Sequence, residues 1–250
     1  MRRIKFTLAY DGTEFFGWQV QPNLPTVQGT LEAALSEIEA APVHVTASGR
    51  TDAGVHALAQ VAAFDLNNPI PLPNLRKAVN KLLPPAIRIL KVEDADPEFH
   101  PIRHARSKIY EYRIYREEIL SPFDHRYVHH HPYPLDVDTM MDLAPLIEGE
   151  HDFRAFAASD EKYEAGEPLV RYVYTSELRE DDDRLVYRVC GTGFLKHMVR
   201  NLVGTLLEIG KGNLHEEGLK KLLRPAPETP FGSAGPTAPP QGLFLVSVQY

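Results

Sequence analysis

The sequence predicts an α+β protein built from two ferredoxin-like halves, and three observations support that fold class. Apolar residues alternate with polar ones in several short stretches, as they do in half-buried strands. In other stretches they recur every three or four residues, as on one face of a helix. The order strand, helix, strand, strand, helix, strand runs through the first hundred residues and then roughly repeats, which is the arrangement of a ferredoxin-like unit.

The first half covers residues 1–103. Its first strand is predicted over residues 3–10, where every second side chain is apolar and one face is therefore buried. Thr26 is expected to cap the helix that follows, because apolar residues recur behind it at helical spacing. The remaining predicted elements of this half are strands at 43–48, 60–66 and 87–92, and a helix marked by Leu75, Val79 and Leu82.

The second half covers residues 104–250, and the boundary between the halves lies near residues 97–106. Asp138 is expected to cap a helix over 139–147, and residues 194–209 form a strongly apolar helix. Strands are predicted at 108–115, 171–178, 184–191 and 243–248, the middle two joined as a hairpin by the acidic turn 180–183. Loops are predicted at 129–131, 157–168 and 225–241.

The charge balance argues by itself against a nucleic-acid partner, since 27 Lys and Arg face 34 Asp and Glu, a formal charge of −7. The charge is unevenly distributed, however. Residues 1–110 carry 12 basic and 11 acidic side chains, whereas residues 111–250 carry 15 and 23. Residues 100–116 hold five Lys or Arg against Glu111 alone, so we expect a local basic cleft on an acidic protein.

Cys190 is the only cysteine, which excludes an internal disulfide and fits a reducing, cytoplasmic compartment. We interpret it as a small buried apolar side chain. The basic N-terminus is not followed by the apolar region of a signal peptide, and no run of about 18 apolar residues predicts a membrane span.

The segment Gly49-Arg50-Thr51-Asp52-Ala53-Gly54 lies between two predicted strands, and its glycines allow a sharp turn that presents Asp52. A nearby Arg50 would favour the ionised carboxylate. Such a carboxylate can act as nucleophile or general base. The alternative is a surface turn with an ion pair.

Tyr110 and Tyr112 lie two apart on a strand in the basic cluster, so their rings face the same way. Aromatic rings among cations suit base stacking with phosphate contact, although a tyrosine pair in the core gives the same pattern. Arg200 interrupts an apolar helix, which implies a carboxylate partner, with Asp52 as a candidate. Alternatively, Arg200 lies at the core boundary and extends to water.

Histidines 129–131 suggest a metal site, but successive residues on a strand point in opposite directions. The sequence has neither an H-E-x-x-H nor a C-x-x-C pattern, so no metal is predicted. A metal-dependent hydrolase remains an alternative that chelators would test.

Several of these segments together resemble one family, the tRNA pseudouridine synthase A (TruA) family. They follow the family's order across nearly the whole chain. The matching pieces are Tyr10-Asp11-Gly12-Thr13, Gly17-Trp18-Gln19, Thr26-Val27-Gln28-Gly29, Gly49-Arg50-Thr51-Asp52-Ala53-Gly54-Val55-His56-Ala57, Phe99-His100, Tyr110-Glu111-Tyr112, His151-Asp152-Phe153, Gly193-Phe194-Leu195, Met198-Val199-Arg200-Asn201 and Gly242-Leu243-Phe244-Leu245.

The resemblance implies two ferredoxin-like halves that share a mostly antiparallel sheet, with the active site in the cleft between them. It implies isomerisation of uridine to pseudouridine in the tRNA anticodon stem-loop, at nucleotides 38, 39 and 40. It further implies that no external cofactor is needed and that the enzyme is a homodimer. A non-catalytic RNA-binding module on the same fold is the alternative.

The resemblance also assigns residue roles. Asp52 matches the nucleophile, Tyr110 the tyrosine that stacks on the target base and is a candidate for moving a proton, and Arg200 the arginine that pairs with the aspartate. Arg50 matches an RNA-contacting residue and Leu243 an apolar residue near the base. His100 and Arg103 are further candidates for substrate binding. The family often continues Phe-His with Ala-Arg, whereas here Pro101-Ile102 follows and Arg103 comes one position later.

Overall fold

A computed structural model describes residues 1–160, 163, 166, 168–224 and 229–250. The chain divides into two compact units, Met1–Arg106 with Phe244–Tyr250, and Ser107–Leu243. The last strand therefore belongs with the first unit, whereas the predicted boundary assigned residues 244–250 to the second half.

The predicted strands and helices occur in their predicted order. The structure adds a strand at His129–His130, where a loop was predicted, and a strand at Gly149–Asp152 and a helix at Glu216–Leu222, which were not predicted. The strands are β1 (Arg2–Tyr10), β2 (Thr46–Ala47), β3 (His56–Leu66), β4 (Ile87–Asp94), β5 (Ser107–Tyr115), β6 (His129–His130), β7 (Gly149–Asp152), β8 (Val170–Asp181), β9 (Arg184–Gly191) and β10 (Leu243–Gln249). The helices are α1 (Val27–Glu39), α2 (Leu72–Leu82), α3 (Val137–Leu143), α4 (Met198–Gly210) and α5 (Glu216–Leu222).

In the first unit β1 pairs antiparallel with both β3 and β4, β2 pairs antiparallel with β3, and β10 runs parallel to β3. The alternation in β1 buries Ile4, Phe6 and Leu8 completely. Thr26 caps α1 as predicted, because its side chain accepts a hydrogen bond from the backbone N–H of Gly29. The strand predicted at 43–48 is ordered as β only over the two residues of β2.

In the second unit β5, β9, β8 and β7 are neighbours in that order and antiparallel, and β6 runs parallel to β5. The predicted hairpin is confirmed, with Asp182 at a φ of 53° in its turn. Together the two units confirm the predicted α+β class with mostly antiparallel strands.

Three details of the second unit differ from the sequence prediction. Asp136 rather than Asp138 caps α3, because the Asp136 carboxylate accepts the Thr139 N–H. The predicted helix over 139–147 changes after α3 into a 3₁₀ turn at Ala144–Ile147, where Pro145 interrupts the backbone donors. Helix α4 begins at Met198, four residues later than predicted.

Part of the predicted acidic loop, Glu161, Glu164 and Glu167, lies outside the described residues, as do residues 225–228 of the predicted loop 225–241. Cys190 is half-buried in β9. Among the described residues, no helix has the length and apolar character that a membrane crossing requires.

Candidate active site

The loop between β2 and β3 carries Asp52 at a tight turn. The carbonyl of Asp52 accepts the N–H of Val55 at 3.2 Å, and Gly54 adopts a φ of 77°, a conformation that glycine enters without strain. Asp52 is half-buried and Arg50 is exposed in the same loop. The turn predicted from the two glycines is therefore present, with the carboxylate and the guanidinium two residues apart.

Strand β1 anchors this loop through a buried hydroxyl pair. The hydroxyl of Tyr10, at the end of β1, lies 2.9 Å from Oγ1 of Thr51, the residue before Asp52. Gln60 of β3 donates to the carbonyl of Gly49 at 2.8 Å and accepts from the Ser48 hydroxyl at 2.6 Å. Burial raises the pKa of Tyr10 to about 12, so its hydroxyl stays neutral at physiological pH.

The segment that follows β1 holds the other side of the loop through the backbone. The Trp18 N–H donates to the carbonyl of Thr51 at 3.0 Å, and the Gly54 N–H donates to the carbonyl of Phe15 at 3.3 Å. A Cβ on Gly12 would lie 2.0 Å from the carbonyl oxygen of Val55. The Tyr10–Trp18 segment and the Asp52 loop are thus one interlocked structure, although about 40 residues separate them.

His56, the first residue of β3, supports the loop from the core side and was given no role by the sequence reasoning. Its Nδ1 accepts the Gly12 N–H at 3.0 Å and lies 3.3 Å from a carboxylate oxygen of Asp11. Its ring stacks on Phe244 of β10, with ring centroids 4.7 Å apart. In the sequence, only the short separation between His56 and the Asp52 turn indicated that His56 could support this loop.

His100 and Arg103 lie together in the turn that follows β4. Nδ1 of His100 accepts the Arg103 N–H at 3.4 Å, and the Arg103 side chain is exposed. Burial, with the neighbouring charge of Arg103, holds the pKa of His100 below its usual value. This pair therefore offers one exposed cation beside a neutral imidazole.

In the second unit, the two tyrosines of β5 share one face and both are buried. Tyr112 is completely buried, and its hydroxyl donates to the carbonyl of Pro239 at 2.8 Å. Tyr110 is 7% exposed and meets the half-buried ring of Phe194 edge-on at 5.2 Å. Tyr112 is thus a core residue, as the alternative reading predicted, and Tyr110 lies at the margin of that core.

The backbone of residues 234–239, which we call the strap, crosses α4 and positions Arg200. Arg200 Nε donates to the Ala238 carbonyl at 2.7 Å, and the Ala238 N–H donates to the Arg200 carbonyl at 3.2 Å. Asn201 accepts from the Thr237 hydroxyl at 2.6 Å. A Cβ on Gly204 would lie 1.7 Å from the Pro236 carbonyl oxygen. The half-buried Arg200 side chain is therefore held by a main-chain acceptor within this unit.

Leu243 follows the strap and is 5% exposed. Gly242 before it packs against Tyr112, where a Cβ would lie 2.8 Å from the ring. This close approach of the Gly242 backbone to the Tyr112 ring fixes the position of Leu243, the first residue of β10.

Around β6, His129 is half-buried and His131, which follows the strand, is buried. Burial, with the charges of neighbouring His131 and His130, lowers the pKa of His129 to about 4. Burial also lowers the pKa of His131. In the part of the chain that the structure describes, no group of three or more His, Cys, Asp or Glu is arranged to hold a metal ion.

The site residues thus fall into local groups: Asp52 with Arg50 on an anchored loop, His100 with Arg103 in one turn, Tyr110 at the core margin, and Arg200 and Leu243 beside the strap. A family model described as tRNA pseudouridine synthase matches residues 7–102 and 143–250. The chain therefore belongs to the tRNA pseudouridine synthase family, a class of isomerases that convert uridine to pseudouridine.

Relatives named tRNA pseudouridine synthase A match the chain over its full length. The protein of Solibacter usitatus (strain Ellin6076) is 58% identical over 250 residues, which is 100% of both chains. That of Geobacillus sp. (strain WCH70) is 43% identical over 100% of this chain and 98% of its own. That of Lacticaseibacillus casei (strain BL23) is also 43% identical, over 100% of both. The family resemblance predicted from the motifs is confirmed.

Proposed function

We propose that this protein isomerises uridine to pseudouridine in the anticodon stem-loop of tRNA, at nucleotides 38, 39 and 40, with Asp52 as the nucleophile. The observation that carries the proposal is the anchored loop, in which Tyr10, Trp18 and Gly12 fix the backbone on both sides of Asp52. A nucleophile that is already positioned loses little entropy when it meets its target.

The chemistry requires a nucleophile and no redox partner. The bond between N1 of uracil and C1′ of the ribose breaks, and a bond between C5 and C1′ forms. C5 loses a proton and N1 gains one, so the product is an isomer and no cofactor is consumed. A carboxylate can attack either C1′ or C6 to begin this exchange.

The other site residues are proposed in supporting roles. Tyr110 stacks on the target base, a role supported by the position of its ring at the margin of the core, edge-on to Phe194. Arg50 and Arg103 are exposed cations suited to phosphate, and His100 is a neutral hydrogen-bonding group beside Arg103. Leu243 provides apolar contact near the base. A base in a stem must leave the stack before these groups can reach it.

The test uses an unmodified tRNA transcript, with pseudouridine mapped by carbodiimide-blocked primer extension. We expect stops at nucleotides 38–40 with the wild type, and none with Asp52→Asn or Asp52→Ala. Asp142→Asn removes one exposed carboxylate of α3 and is the matched control, which should retain activity. Tyr110→Phe tests the hydroxyl separately, because it keeps the ring for stacking.

The outcomes separate the alternatives. Equal stops from Asp52→Asn would contradict the role of Asp52. If the wild type binds tRNA but leaves it unmodified, the protein is a non-catalytic RNA-binding module. Loss of activity with a chelator would favour metal-dependent chemistry. The pairing of Arg200 with the nucleophile stays a prediction, and a double-mutant cycle of Asp52→Asn with Arg200→Gln tests it through non-additivity.

We also propose a cytoplasmic homodimer, which the family resemblance alone implies. Sedimentation equilibrium at several protein concentrations measures the mass directly, and a value near the 28.1 kDa of one chain would contradict the dimer.

A further inference from the structure

The longest stretch of this acidic chain without an acidic residue lies in the first unit. Residues 66–92 carry five Lys or Arg and neither Asp nor Glu, in a chain whose formal charge is −7. The stretch covers α2 and most of β4. Charge summed over residues 1–110 or over residues 100–116 does not reveal this stretch.

Folding places four of these five cations, all except Lys91, along one open groove between α2 and β4. On α2, Arg76 and Lys77 lie one turn from Asn80 and Lys81, so all four share one face of the helix. Asn80 joins the two elements, because its amide donates to the carbonyl of Ile89 at 2.9 Å and accepts the Ile89 N–H at 2.8 Å. The lining of the groove is Arg76, Lys77, Asn80, Lys81, Arg88, Ile89 and Leu90.

The two arginines are positioned by the backbone and the two lysines extend into solvent. Arg76 donates to the carbonyl of Leu90 at 3.2 Å, and Arg88 donates to the carbonyl of Pro84 at 2.6 Å. Lys77 and Lys81 are exposed. Among the described residues, no carboxylate lies within 4.0 Å of the charged atoms of these four side chains. The groove therefore holds four positive charges that no acidic side chain neutralises there.

The groove lies in the same unit as the Asp52 loop, and backbone pairing connects the start of β4 to the segment that holds that loop. Ile87 at the start of β4 pairs with Tyr10, whose hydroxyl contacts the residue before Asp52. The Asp11 N–H donates to the carbonyl of Ala86 at 2.9 Å. Since β4 lies two strands from β3, at about 4.8 Å per strand, the groove begins on the order of 10 Å from the strand that follows the Asp52 loop.

We propose that this α2–β4 groove binds the phosphate backbone of the RNA substrate, next to the nucleotide presented to Asp52. The inference rests on the proposed function. Along the groove, the strand rises about 7 Å from Arg88 to Leu90, and the helix rises about 7.5 Å from Arg76 to Lys81. This length suits two successive phosphates. Arginines held by backbone carbonyls, together with exposed lysines, recognise the charge of phosphates and do not distinguish one base from another.

The test compares two charge-matched variants. Lys77→Gln/Lys81→Gln removes the two exposed cations of the groove. Within the described part of the chain, neither lysine side chain makes a hydrogen bond that would stabilise the fold. Lys220→Gln/Lys221→Gln removes two lysines from α5 in the second unit and changes the net charge equally. Both are assayed with the same unmodified tRNA transcript for KM, kcat and the salt dependence of binding.

For Lys77→Gln/Lys81→Gln we expect KM to rise about tenfold near 0.1 M salt, with kcat at saturation unchanged. The slope of log Kd against log salt should fall by about 1.4 to 1.8, which is 0.7 to 0.9 for each lost phosphate contact. The α5 variant should match the wild type in both measurements.

Three results would overturn the groove proposal: an unchanged KM and salt slope, a fall in kcat with KM unchanged, or an equal effect of the α5 variant. A wild type that produces no pseudouridine would instead overturn the proposed function, so the two failures are distinguishable.

Discussion

At the scale of single residues, the position of Asp52 depends on neighbours that have no chemistry of their own. Gly12 allows the backbone after β1 to touch the carbonyl of Val55, and Gly17, at a φ of +85°, allows a similar approach to Thr51. The hydroxyl pair of Tyr10 and Thr51 then ties the loop to β1. The proposed chemistry depends on one carboxylate, and backbone contacts with a distant segment set the position of that carboxylate.

This account predicts that Gly12→Ala is severely disruptive. Its Cβ would lie 2.0 Å from the Val55 carbonyl oxygen, so the two segments must separate. We expect a loss of roughly 2–4 kcal/mol in the free energy of unfolding, typical of forced overpacking at a rigid contact, and loss of pseudouridine formation.

Gly193→Ala is the control, because the nearest atom to its Cβ is 3.9 Å away. Urea unfolding and the primer-extension assay, applied to both variants, provide the check. An active Gly12→Ala protein of normal stability would show that the contact with Val55 does not position Asp52.

At the scale of elements, polar residues inside apolar segments hold loops in place. In α4, Asn201 donates to the Phe156 carbonyl at 2.7 Å and accepts from Thr237 of the strap, while Thr205 accepts the Gly235 N–H at 2.9 Å. The helix is apolar for packing and polar where the strap crosses it. From the sequence, Arg200 alone among these suggested a partner.

The short strand β6 gives a pH-dependent prediction. In the folded protein the pKa of His129 is about 4, below its ordinary value of 6.5, so between these values the unfolded chain binds more protons. The free energy of unfolding should therefore fall as pH decreases from about 6.5 to about 4, and His129→Gln should weaken this dependence.

Urea unfolding at pH 7 and pH 5 measures the effect as the difference between the two values for each protein. His215→Gln is the control, because His215 is exposed and lies outside β6. If His129→Gln loses as much stability as the wild type on acidification, burial of His129 is not responsible.

At the scale of the whole molecule, the chain completes the first unit with its last residues. Phe244 and Leu245 of β10 pair with His56 and Ala57 of β3. The Arg106 N–H donates to the Gln249 carbonyl at 2.8 Å, and the Tyr250 hydroxyl donates to Pro101 at 2.9 Å. These contacts join residues far apart in the sequence, so the first unit depends on residues 244–250.

Removal of residues 244–250 should therefore destabilise the first unit. Trp18, the single tryptophan, is 3% exposed beside the Asp52 loop and reports on that unit. We expect its emission to shift to longer wavelength and its urea midpoint to fall. Removal of Tyr250 alone should have a smaller effect, and an unchanged Trp18 transition in the longer deletion would contradict the assignment of β10 to this unit.

Much of the fold and part of the site could be predicted from sequence. The alternation of β1, the Thr26 cap and the turn around Asp52 depend on neighbours within a few residues, and the structure has them where the sequence placed them. The predicted N-cap of α3 was wrong by two residues, because both Asp136 and Asp138 are suitable cap residues. The cap is the residue at which the backbone first departs from helical geometry, and that residue is Asp136.

The sequence alone is sufficient for the fold class and the family, and it predicts the reactive residues, because periodicity, turn chemistry and ordered motifs are local properties. Only the tertiary structure decided that Tyr10 reaches Thr51, that β10 returns to β3, and that Arg88 joins the cations of α2 in one groove. Each of these joins residues far apart in the chain. Such contacts depend on how whole strands and helices pack against one another. A charge count or a motif in a short segment of sequence therefore does not specify them.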